Sequence, residues 1–536
     1  MKRSIILLFI ILLAGFLRFY RLTQVPPALN SDEVAIGYNA YSILKTGRDE
    51  YGMRYPLTFR SFDDYKMPVY VYMVSASISA FGYNDFAVRF PSALFGTLTV
   101  ICVYFLAKQL LKDKNSALVA SLLFAISPWS LQFSRAGYEA NIAVFFVVFG
   151  VNLFLLGFKK WWALILSSLV LSLAVWSYLA TRIFVPLLLL GFAIIYAGEL
   201  WKKKLAVVLS ILVGFILLLP IIRMSLSVQG QTRAAGVSAF ANPDDLNAFS
   251  NPNELKKSAS RITLDTKKGL QIFTIFDNRR LIYAMIFLRG YFSHFDPNFL
   301  FLDKSIEKYH APTMGLLYLF ELPLFLVGVY IMVKRWSQGS EVIFWWLLIA
   351  PVAAAFTLQL PHPVRTLVFL PTFQILSAVG LVVVWGKIRR LRVILLLVII
   401  FSFAYYLHQY FIVLPVEDAP LWYAGRKEMV KKLASLDSQY DRIIVSNALD
   451  FPYIFFLYYS KIDPIDYLKH GGTVSGGFTE ENNKYGKYEF HSLNPSQRTG
   501  AQRVLFVGLP TEVFKQNLVV SRINYPDGSP AIVLFK

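Results

Sequence analysis

Two neighbouring carboxylates follow the first apolar segment of the chain, in the run Asn30-Ser31-Asp32-Glu33. Carboxylates near a membrane surface are costly when even partly buried, so such a pair is a candidate functional site. A structural interpretation is also open, in which Ser31 or Asp32 caps a helix over Val34 to Leu44 and acidic residues occupy its first turn. Both interpretations can hold together, because a cap would fix the orientation of the carboxylate.

Further charged residues stand in loops that are predicted to face the same compartment. Lys66 stands ahead of a predicted helix, where a lysine can either snorkel toward lipid headgroups or hold a phosphate as a mobile point charge. Arg135 and Glu139 lie in the next outer loop, and His362 and Arg365 lie between two later apolar segments. Together these loops collect carboxylates and cations at one surface of a helical bundle.

The composition indicates an integral membrane protein. Of 536 residues, 56% are hydrophobic and only 16% are charged, whereas a soluble domain carries roughly 25% charged residues. The net charge of +20 matches basic cytoplasmic loops and headgroup contacts, and we expect no nucleic-acid partner. The single cysteine, Cys102, excludes a disulfide framework and a cysteine metal cluster.

Eleven segments are predicted to span the bilayer, since a spanning helix needs about 20 mostly apolar residues. They lie at residues 5–20, 90–107, 116–131, 141–158, 161–180, 183–200, 205–222, 312–333, 341–358, 366–385 and 393–411. The short basic loops between them then fall on one side, which the positive-inside rule makes cytoplasmic. We therefore expect a multi-pass protein of the plasma (inner) membrane, with its N-terminus inside the cell and its C-terminus outside.

The segments between the predicted spans define the domains. Residues 1–411 are predicted to form a transmembrane domain that carries the candidate site residues, with outer loops at 22–89 and 223–311. Within the first loop, the apolar stretch 68–81 is too short to span and is predicted to be a re-entrant or surface helix. Residues 412–536 change in composition and are predicted to form a small extracytoplasmic α/β domain, with a helix at Tyr423 to Leu436 and strands at Arg442 to Ser446, Arg503 to Val507 and Ala531 to Phe535.

The motifs occur in a recognisable order. The acidic pair Asp32-Glu33 comes first, then Lys66-x-Pro68, then the run from Arg89 to Gly96, and then Ser134-Arg135 with Glu139. This ordered set resembles the GT-C superfamily of membrane glycosyltransferases. Within it the likeness is to the family 39 type, which includes protein O-mannosyltransferases and bacterial lipid A aminoarabinose transferases. The likeness covers residues 1–220 well and extends more loosely to about residue 390.

The resemblance implies a GT-C fold and a hexosyl or pentosyl transferase. Such an enzyme takes a sugar from a polyprenyl-phosphate donor and passes it to a hydroxyl acceptor (protein, lipid or glycan) on the outer face. By position, Asp32 matches the catalytic acidic residue of the family and Glu33 its neighbour. Glu139 stands where relatives usually have Asp, Lys66 matches the lysine assigned to the donor phosphate, and Arg365 fits a further loop cation near it.

The chemistry of such a transfer is consistent with these residue types. A hydroxyl is a poor nucleophile until a base takes its proton, and Asp32 is the candidate base. A cation at about 4 Å stabilises the leaving phosphate by roughly 4 kcal/mol at an effective dielectric near 20, before desolvation is subtracted. Lys66 and Arg365 are the candidate cations, and His362 is a further candidate phosphate contact.

Three more residues are candidate substrate contacts, namely Tyr65, Arg135 and His294. The spacing of the histidines gives no metal-ligand pattern, so no metal site is predicted. A divalent metal is left open but unsupported, and no other cofactor is expected.

Two other classes of function remain as alternatives. The first is a flippase or other transporter of lipid-linked sugars, which would place charge near mid-membrane on broken helices and often show two similar halves. The second is a polymerase or ligase of surface glycans, which differs mainly in its donor. The sequence has no phosphate-binding G-x-x-x-x-G-K-[ST] loop, so ATP-driven pumping has no support.

Overall fold

Helices make up most of the chain in the computed structural model, which describes residues 2–62, 64–226, 254–302, 307–474, 483–494, 503–514 and 518–536. Residues 227–253 and 303–306 of the predicted loop 223–311 therefore lie outside the described residues. In chain order the helices are α1 (Lys2–Phe19), α2 (Ser31–Thr46), α3 (Pro68–Phe81), α4 (Asp85–Leu111), α5 (Lys114–Ile126), α6 (Pro128–Ser134), α7 (Glu139–Gly157), α8 (Trp162–Ser177), α9 (Thr181–Ile195), α10 (Ala197–Trp201), α11 (Lys204–Ser225), α12 (Glu254–Lys267), α13 (Arg279–Ser293), α14 (Glu321–Lys334), α15 (Gln338–Ile349), α16 (Val352–Ala355), α17 (Leu370–Lys387), α18 (Arg392–His408), α19 (Leu414–Glu417), α20 (Arg426–Leu436), α21 (Pro452–Tyr459) and α22 (Pro464–Lys469).

Each of the eleven predicted spans contains a helix, but fewer meet the requirements of length and apolarity. Within the described residues, six helical stretches are long and apolar enough to cross a membrane: Asp85–Leu111, Glu139–Gly157, Lys204–Ser225, Gln338–Ala355, Leu367–Lys387 and Arg392–Glu417. The pair α5 and α6, bent by 54°, makes a seventh if it is one span. The other four predicted spans coincide with α1, which carries three basic residues, and with the shorter α8, α9 and α14. The helical membrane class is thus confirmed, and the count of eleven is not.

Contacts divide the chain into two units. The first unit comprises Met1–Ala14, Leu98–Ser130 and Ala143–Ser402, and the second comprises Gly15–Thr97, Leu131–Ile142 and Phe403–Lys536. The predicted first outer loop and the predicted C-terminal domain therefore belong to the same unit. The domain boundary predicted between residues 411 and 412 stays a prediction.

The first unit is a helical bundle in which glycines allow two helices to approach closely. A Cβ added to Gly328 of α14 would lie 1.9 Å from the carbonyl oxygen of Leu376, and one added to Gly380 of α17 would lie 1.9 Å from that of Leu324. Any larger residue at either position would push the two backbones apart. Small residues at helix contacts are the usual means of close packing in membrane bundles.

The second unit combines helices with two sheets. A short hairpin pairs β1 (Phe59–Ser61) antiparallel with β2 (Asp64–Lys66), and Phe59 is opposite Lys66. The C-terminal sheet has six strands among the described residues, β3 (Arg442–Val445), β4 (Asn483–Tyr485), β5 (Tyr488–Phe490), β6 (Val504–Gly508), β7 (Val519–Asn524) and β8 (Pro530–Phe535). Their spatial order is β4-β5-β3-β6-β8-β7, and β3 is parallel to both of its neighbours.

The C-terminal elements agree with the sequence prediction to within a few residues. The three predicted strands are β3, β6 and β8, and their apolar side chains Ile444, Phe506, Val533 and Phe535 form a buried cluster. The predicted helix from Tyr423 begins only at Arg426. Its start is delayed because Gly425 has φ +89°, a left-handed conformation that glycine adopts readily. The predicted helix over 68–81 is α3, and its placement at a membrane surface stays a prediction.

Candidate active site

An ion pair joins Asp32, the predicted general base, to Lys66, the predicted contact of the donor phosphate. The Nζ atom of Lys66 donates to Oδ1 of Asp32 at 2.6 Å, although 34 positions separate them in the chain. The Asp32 side chain is 50% exposed and the Lys66 side chain only 11%. A half-exposed carboxylate in contact with a cation can still be reached by a substrate.

The local fold of α2 fixes the position of Asp32. Asn30 is the N-cap: its Oδ1 accepts from the backbone N–H of Glu33 at 3.0 Å, and the Glu33 carboxylate accepts from the N–H of Asn30 at 3.0 Å. This reciprocal arrangement is a capping box. The expectation that Ser31 or Asp32 caps the helix was therefore wrong, because the helix begins at Ser31, three residues before the predicted start at Val34. Asp32 is thus left in the first turn with its carboxylate available for Lys66.

Lys66 is positioned by the hairpin and by the start of α3. It is the last residue of β2, and Met67 continues in an extended conformation before Pro68 occupies the first turn of α3. Proline is favoured there because it lacks an N–H and its φ suits a helix. The Nζ atom also lies 5.9 Å from the centre of the Phe62 ring. The hairpin and the proline together bring the ammonium group to the N-terminal end of α2.

Glu33 and Arg89 form a second ion pair, which is fully buried. The Nε of Arg89 donates to Oε1 of Glu33 at 2.8 Å and Nη2 donates to Oε2 at 3.1 Å, and both side chains have no exposed surface. The other guanidinium hydrogens reach the backbone carbonyls of Leu22, Pro26 and Ala28. All five N–H donors of an arginine are thereby used. This arginine holds the segment between α1 and α2 in place.

Gly137 completes the surroundings of the Glu33 carboxylate. Its backbone N–H donates to Oε1 of Glu33 at 2.8 Å, so this carboxylate accepts from Arg89, Asn30 and Gly137. A Cβ at Gly137 would lie 3.0 Å from Cγ of Glu33 and 3.2 Å from the Tyr70 hydroxyl, which is tighter than an ordinary side-chain contact. The catalytic role predicted for Glu33 stays a prediction, whereas its contacts are those of an anchor that orients the start of α2.

Arg135 is also buried and serves the end of α1. Its guanidinium donates to the carbonyl oxygens of Arg18 at 3.1 Å, Tyr20 at 2.8 Å and Val25 at 2.9 Å, and it lies 4.7 Å from the Phe411 ring centre. The last carbonyls of a helix have no partner within the helix, so a cation there is stabilising. The guanidinium N–H groups of Arg135 are thus directed at backbone carbonyls. The substrate contact predicted for Arg135 stays a prediction.

The remaining predicted residues of the second unit are close in sequence to the pairs just described. Glu139 is the first residue of α7, two positions after Gly137. Tyr65 lies in the middle of β2, opposite Arg60 and next to Lys66. Six of the predicted site residues thus fall in the second unit: Asp32, Glu33, Tyr65, Lys66, Arg135 and Glu139.

The other three predicted site residues, His294, His362 and Arg365, lie in the first unit. Nδ1 of His294 lies 2.7 Å from the carbonyl oxygen of Gly290, and Nε2 accepts from the backbone N–H of His362 at 3.1 Å. A carbonyl can only accept and a backbone N–H can only donate, so the His294 ring is the neutral Nδ1–H tautomer. Burial accordingly lowers the pKa of His294 to about 4. His294 therefore holds the loop that carries His362.

His362 and Arg365 belong to that loop. Burial also lowers the pKa of His362, with the nearby Arg365 charge as a smaller cause. Nη1 of Arg365 donates to the Thr357 hydroxyl at 2.7 Å and to the Leu358 carbonyl. A neutral His362 can take part in hydrogen bonding but brings no charge to a phosphate.

The structure offers no separate metal centre in the part of the chain that it describes. Among those residues, no group of three or more His, Cys, Asp or Glu side chains is arranged to hold an ion. The Asp32–Lys66 pair is instead an anion and a cation in direct contact.

Sequence reasoning missed the function of Arg89 and Gly137. From the sequence, Arg89 stands out only as the first residue of the run that ends at Gly96. The signal that could have identified its role is its position seven residues before Gly96 near the start of a long apolar helix, where a buried cation requires an anionic partner. Nothing in the sequence identifies Glu33 as that partner, because 56 positions separate the two residues.

The fold is similar to those of two solved proteins, ArnT and AglB. The chain superposes on ArnT from Cupriavidus metallidurans in the apo state with a TM-score of 0.56, covering 99% of this chain and 97% of that one at 12% identity. The structure of the same protein bound to undecaprenyl phosphate gives a TM-score of 0.55. The archaeal oligosaccharyltransferase AglB from Archaeoglobus fulgidus, in complex with an inhibitory peptide and a dolichol-phosphate, gives 0.50 at 16% identity, and the match spans 85% of this chain and 64% of AglB.

Residues 65–223 match the family model of dolichyl-phosphate-mannose-protein mannosyltransferases. The resemblance inferred from the sequence motifs is thereby confirmed. An uncharacterized protein of Aquifex aeolicus (strain VF5) is 31% identical over 110 residues, which cover 19% of this chain and 22% of that protein. The matched family segment begins one residue before Lys66 and includes Arg89 and Glu139.

Proposed function

We propose that this protein is a glycosyltransferase that moves a hexosyl or pentosyl group from a polyprenyl-phosphate donor to a hydroxyl acceptor on the outer face of the membrane. The observation that carries the proposal is the contact between Lys66 Nζ and Asp32 Oδ1 at 2.6 Å. Support comes from the family match over residues 65–223 and from the likeness of fold to ArnT, which has been solved with undecaprenyl phosphate.

The proposed step is a displacement at the anomeric carbon of the donor. The acceptor oxygen forms a bond to that carbon while the bond to the phosphate oxygen breaks, and the polyprenyl phosphate leaves with the bonding electron pair. Asp32 takes the hydroxyl proton as general base. Lys66 stabilises the charge that develops on the leaving phosphate, and this accelerates the step if the contact is stronger in the transition state.

The ion pair suggests how donor binding prepares the base. Without a donor, the Lys66 ammonium group donates to the Asp32 carboxylate. A donor phosphate offers Lys66 a stronger anionic partner, since charge-assisted hydrogen bonds to phosphate are strong. Movement of the ammonium group toward that phosphate would release Asp32 to accept the acceptor proton. The base would then be available only when the donor is bound.

Three further assignments belong to the same proposal. Arg365 is proposed to steady the leaving phosphate and His362 to donate to it, both on the strength of the sequence resemblance. Glu33 is proposed to act through the orientation of α2. The chain is proposed to cross the plasma (inner) membrane eleven times, with residues 1–411 as the catalytic domain, a cytoplasmic N-terminus, and the site and residues 412–536 outside the cell.

The test is transfer by the purified full-length protein in proteoliposomes, with a panel of radiolabelled polyprenyl-phosphate sugars and detection of released polyprenyl phosphate. Asp32→Asn is expected to abolish release with every donor that the wild type uses. The matched control is Asp441→Asn. Asp441 is 45% exposed and is paired with Arg503 at 3.0 Å on the C-terminal domain, so its loss is expected to leave transfer unchanged.

Two outcomes would overturn the proposal. Full turnover by a folded Asp32→Asn variant would remove the base assignment. Movement of the labelled lipid across the bilayer by the wild type, without release of polyprenyl phosphate from any donor, would instead favour the transporter class.

A further inference from the structure

A cavity of about 620 Å³ lies within the second unit, and none of the residues of the proposed active site lines it. Three lysines contribute to its wall. Lys427 and Lys431 are one turn apart on α20 and therefore share a face of that helix, and Lys461 follows the end of α21. Asp85 is the one carboxylate among the described lining residues, so the wall carries a net positive charge.

The single carboxylate is already engaged by one of the lysines. Nζ of Lys427 lies 2.6 Å from Oδ2 of Asp85, and the Tyr458 hydroxyl lies 3.4 Å from Oδ1. Neither Lys431 nor Lys461 forms an ion pair with a carboxylate of the described residues, and both are exposed. Two positive charges at this cavity are therefore available to an anionic ligand.

Aromatic rings form another part of the cavity wall. The Tyr459 ring centre lies 5.4 Å from the Lys427 ammonium, and the rings of Tyr83 and Tyr458 meet edge to face at 4.8 Å. Tyrosine rings offer a large contact surface at low cost in conformational entropy. The wall therefore combines exposed cations with rigid amphipathic surfaces.

The cavity lies at the end of a predicted membrane span. Its lining includes Gln24, shortly after α1, and residues 84–86 at the start of α4, the first helix that is long and apolar enough to cross a membrane. Phe81, whose ring centre lies 5.3 Å from that of Phe86 in the lining, is large and 44% exposed. Cations and exposed aromatic residues together at a span end are typical of the lipid headgroup level.

We propose that this cavity binds a headgroup that carries an anionic phosphate and no compensating cation, with Lys431 and Lys461 as its charged contacts. Lysine binds phosphate as a point charge, and anionic phosphate is the chemistry that two uncompensated ammonium groups at a span end would recognise. This site is separate from the Asp32–Lys66 pair and goes beyond the proposed transfer reaction. The same chemistry can come from an anionic lipid or from free phosphate, and the experiment separates these sources.

The experiment uses the full-length protein in phosphatidylcholine nanodiscs doped with phosphatidic acid, with bound lipid counted by native mass spectrometry after release. The double variant Lys431→Gln/Lys461→Gln is expected to retain about tenfold less phosphatidic acid than the wild type, because each lysine near an anionic surface adds to the attraction. The matched control is Lys432→Gln/Lys469→Gln, which removes two exposed lysines outside the cavity and is expected to bind as the wild type does.

A second arm titrates inorganic phosphate against the bound lipid. If millimolar phosphate displaces the bound lipid, the phosphate group alone is recognised. If it does not, the lipid part of the ligand is also required. Either result agrees with the proposal. Equal retention by all three proteins, or equal retention of an uncharged diacylglycerol, would overturn it. The Asp32→Asn variant is expected to bind phosphatidic acid normally, so failure of the transfer proposal and failure of this one are distinguishable.

Discussion

The Glu33 carboxylate and the Arg89 guanidinium meet at 2.8 Å with neither side chain exposed. Their pairing ties the first turn of α2, which carries Asp32, to the first turns of α4. A buried pair of this kind contributes little net stability relative to an apolar pair, but removal of one partner leaves an uncompensated buried charge. The position of the proposed base therefore depends on a contact outside the Asp32–Lys66 pair.

Loss of either partner is expected to destabilise the protein. Arg89→Ala should cost about 3–5 kcal/mol, since Glu33 would be left buried with its charge unpaired. The measurement is the melting temperature in detergent. The matched control is Arg503→Ala, which breaks an exposed pair with Asp441 and should leave the melting temperature nearly unchanged, because exposed ion pairs add little to stability. Similar losses in both variants would contradict the buried-pair interpretation.

Replacement of Lys66 by methionine should impair the use of the donor. One charge-assisted hydrogen bond is worth about 1.5–3 kcal/mol, so kcat/KM for the donor should fall about 10- to 100-fold. The acceptor KM should be unchanged. Steady-state kinetics in which the donor and the acceptor are varied in turn provide the test. Unaltered donor kinetics in a folded variant would remove the phosphate role, and Lys66→Arg should restore part of the loss by restoring the charge.

Stability should fall as the pH rises because of Glu50. This carboxyl is 1% exposed and accepts from Asn39 Nδ2 at 2.8 Å and Thr473 Oγ1 at 2.7 Å. Burial raises the pKa of Glu50 to about 7 in the folded protein, above its ordinary value near 4.3. The protonated form is therefore the one that folding favours. Its stabilising contribution is fully present below about pH 4 and is lost as the pH rises through about 7.

Protonated Glu50 contributes on the order of 3 kcal/mol to the free energy of unfolding. Melting temperatures between pH 5 and pH 8 should fall for the wild type and change less for Glu50→Gln, which keeps the shape of the group but does not titrate. Parallel curves for the two proteins would show that Glu50 does not control this dependence.

A methyl group at Gly137 should disturb the anchor of α2. Gly137→Ala places a Cβ 3.0 Å from Cγ of Glu33, and such overpacking typically costs about 1–3 kcal/mol. Gly198→Ala is the matched control, because a Cβ at that helical position meets nothing within 4 Å and alanine favours a helix by about 1 kcal/mol. The melting temperature is expected to fall for Gly137→Ala and to rise for Gly198→Ala. A shift of the same sign and size in both variants would count against the tight contact at Gly137.

The sequence predicts which residue types occur at the site, but it does not predict which of them contact one another. Asp32 and Lys66 could be singled out because charged residues beside apolar segments are costly unless they are used. The roles of Glu33 and Arg135 could not be separated from catalysis, since a buried anchor and a substrate contact have the same sequence signature. The capping residue was misassigned by one position because Asn30, Ser31 and Asp32 are all good N-caps.

The sequence by itself determined the membrane class, the helical segments and three strands of the C-terminal sheet. Apolar runs and their interruptions depend on neighbouring residues, so these features are local. Only the tertiary structure decided that Lys66 meets Asp32 and that Arg89 and Gly137 meet Glu33, across 34, 56 and 104 positions. Such contacts arise from packing between elements, and many different pairings of charges are compatible with one and the same hydrophobic pattern.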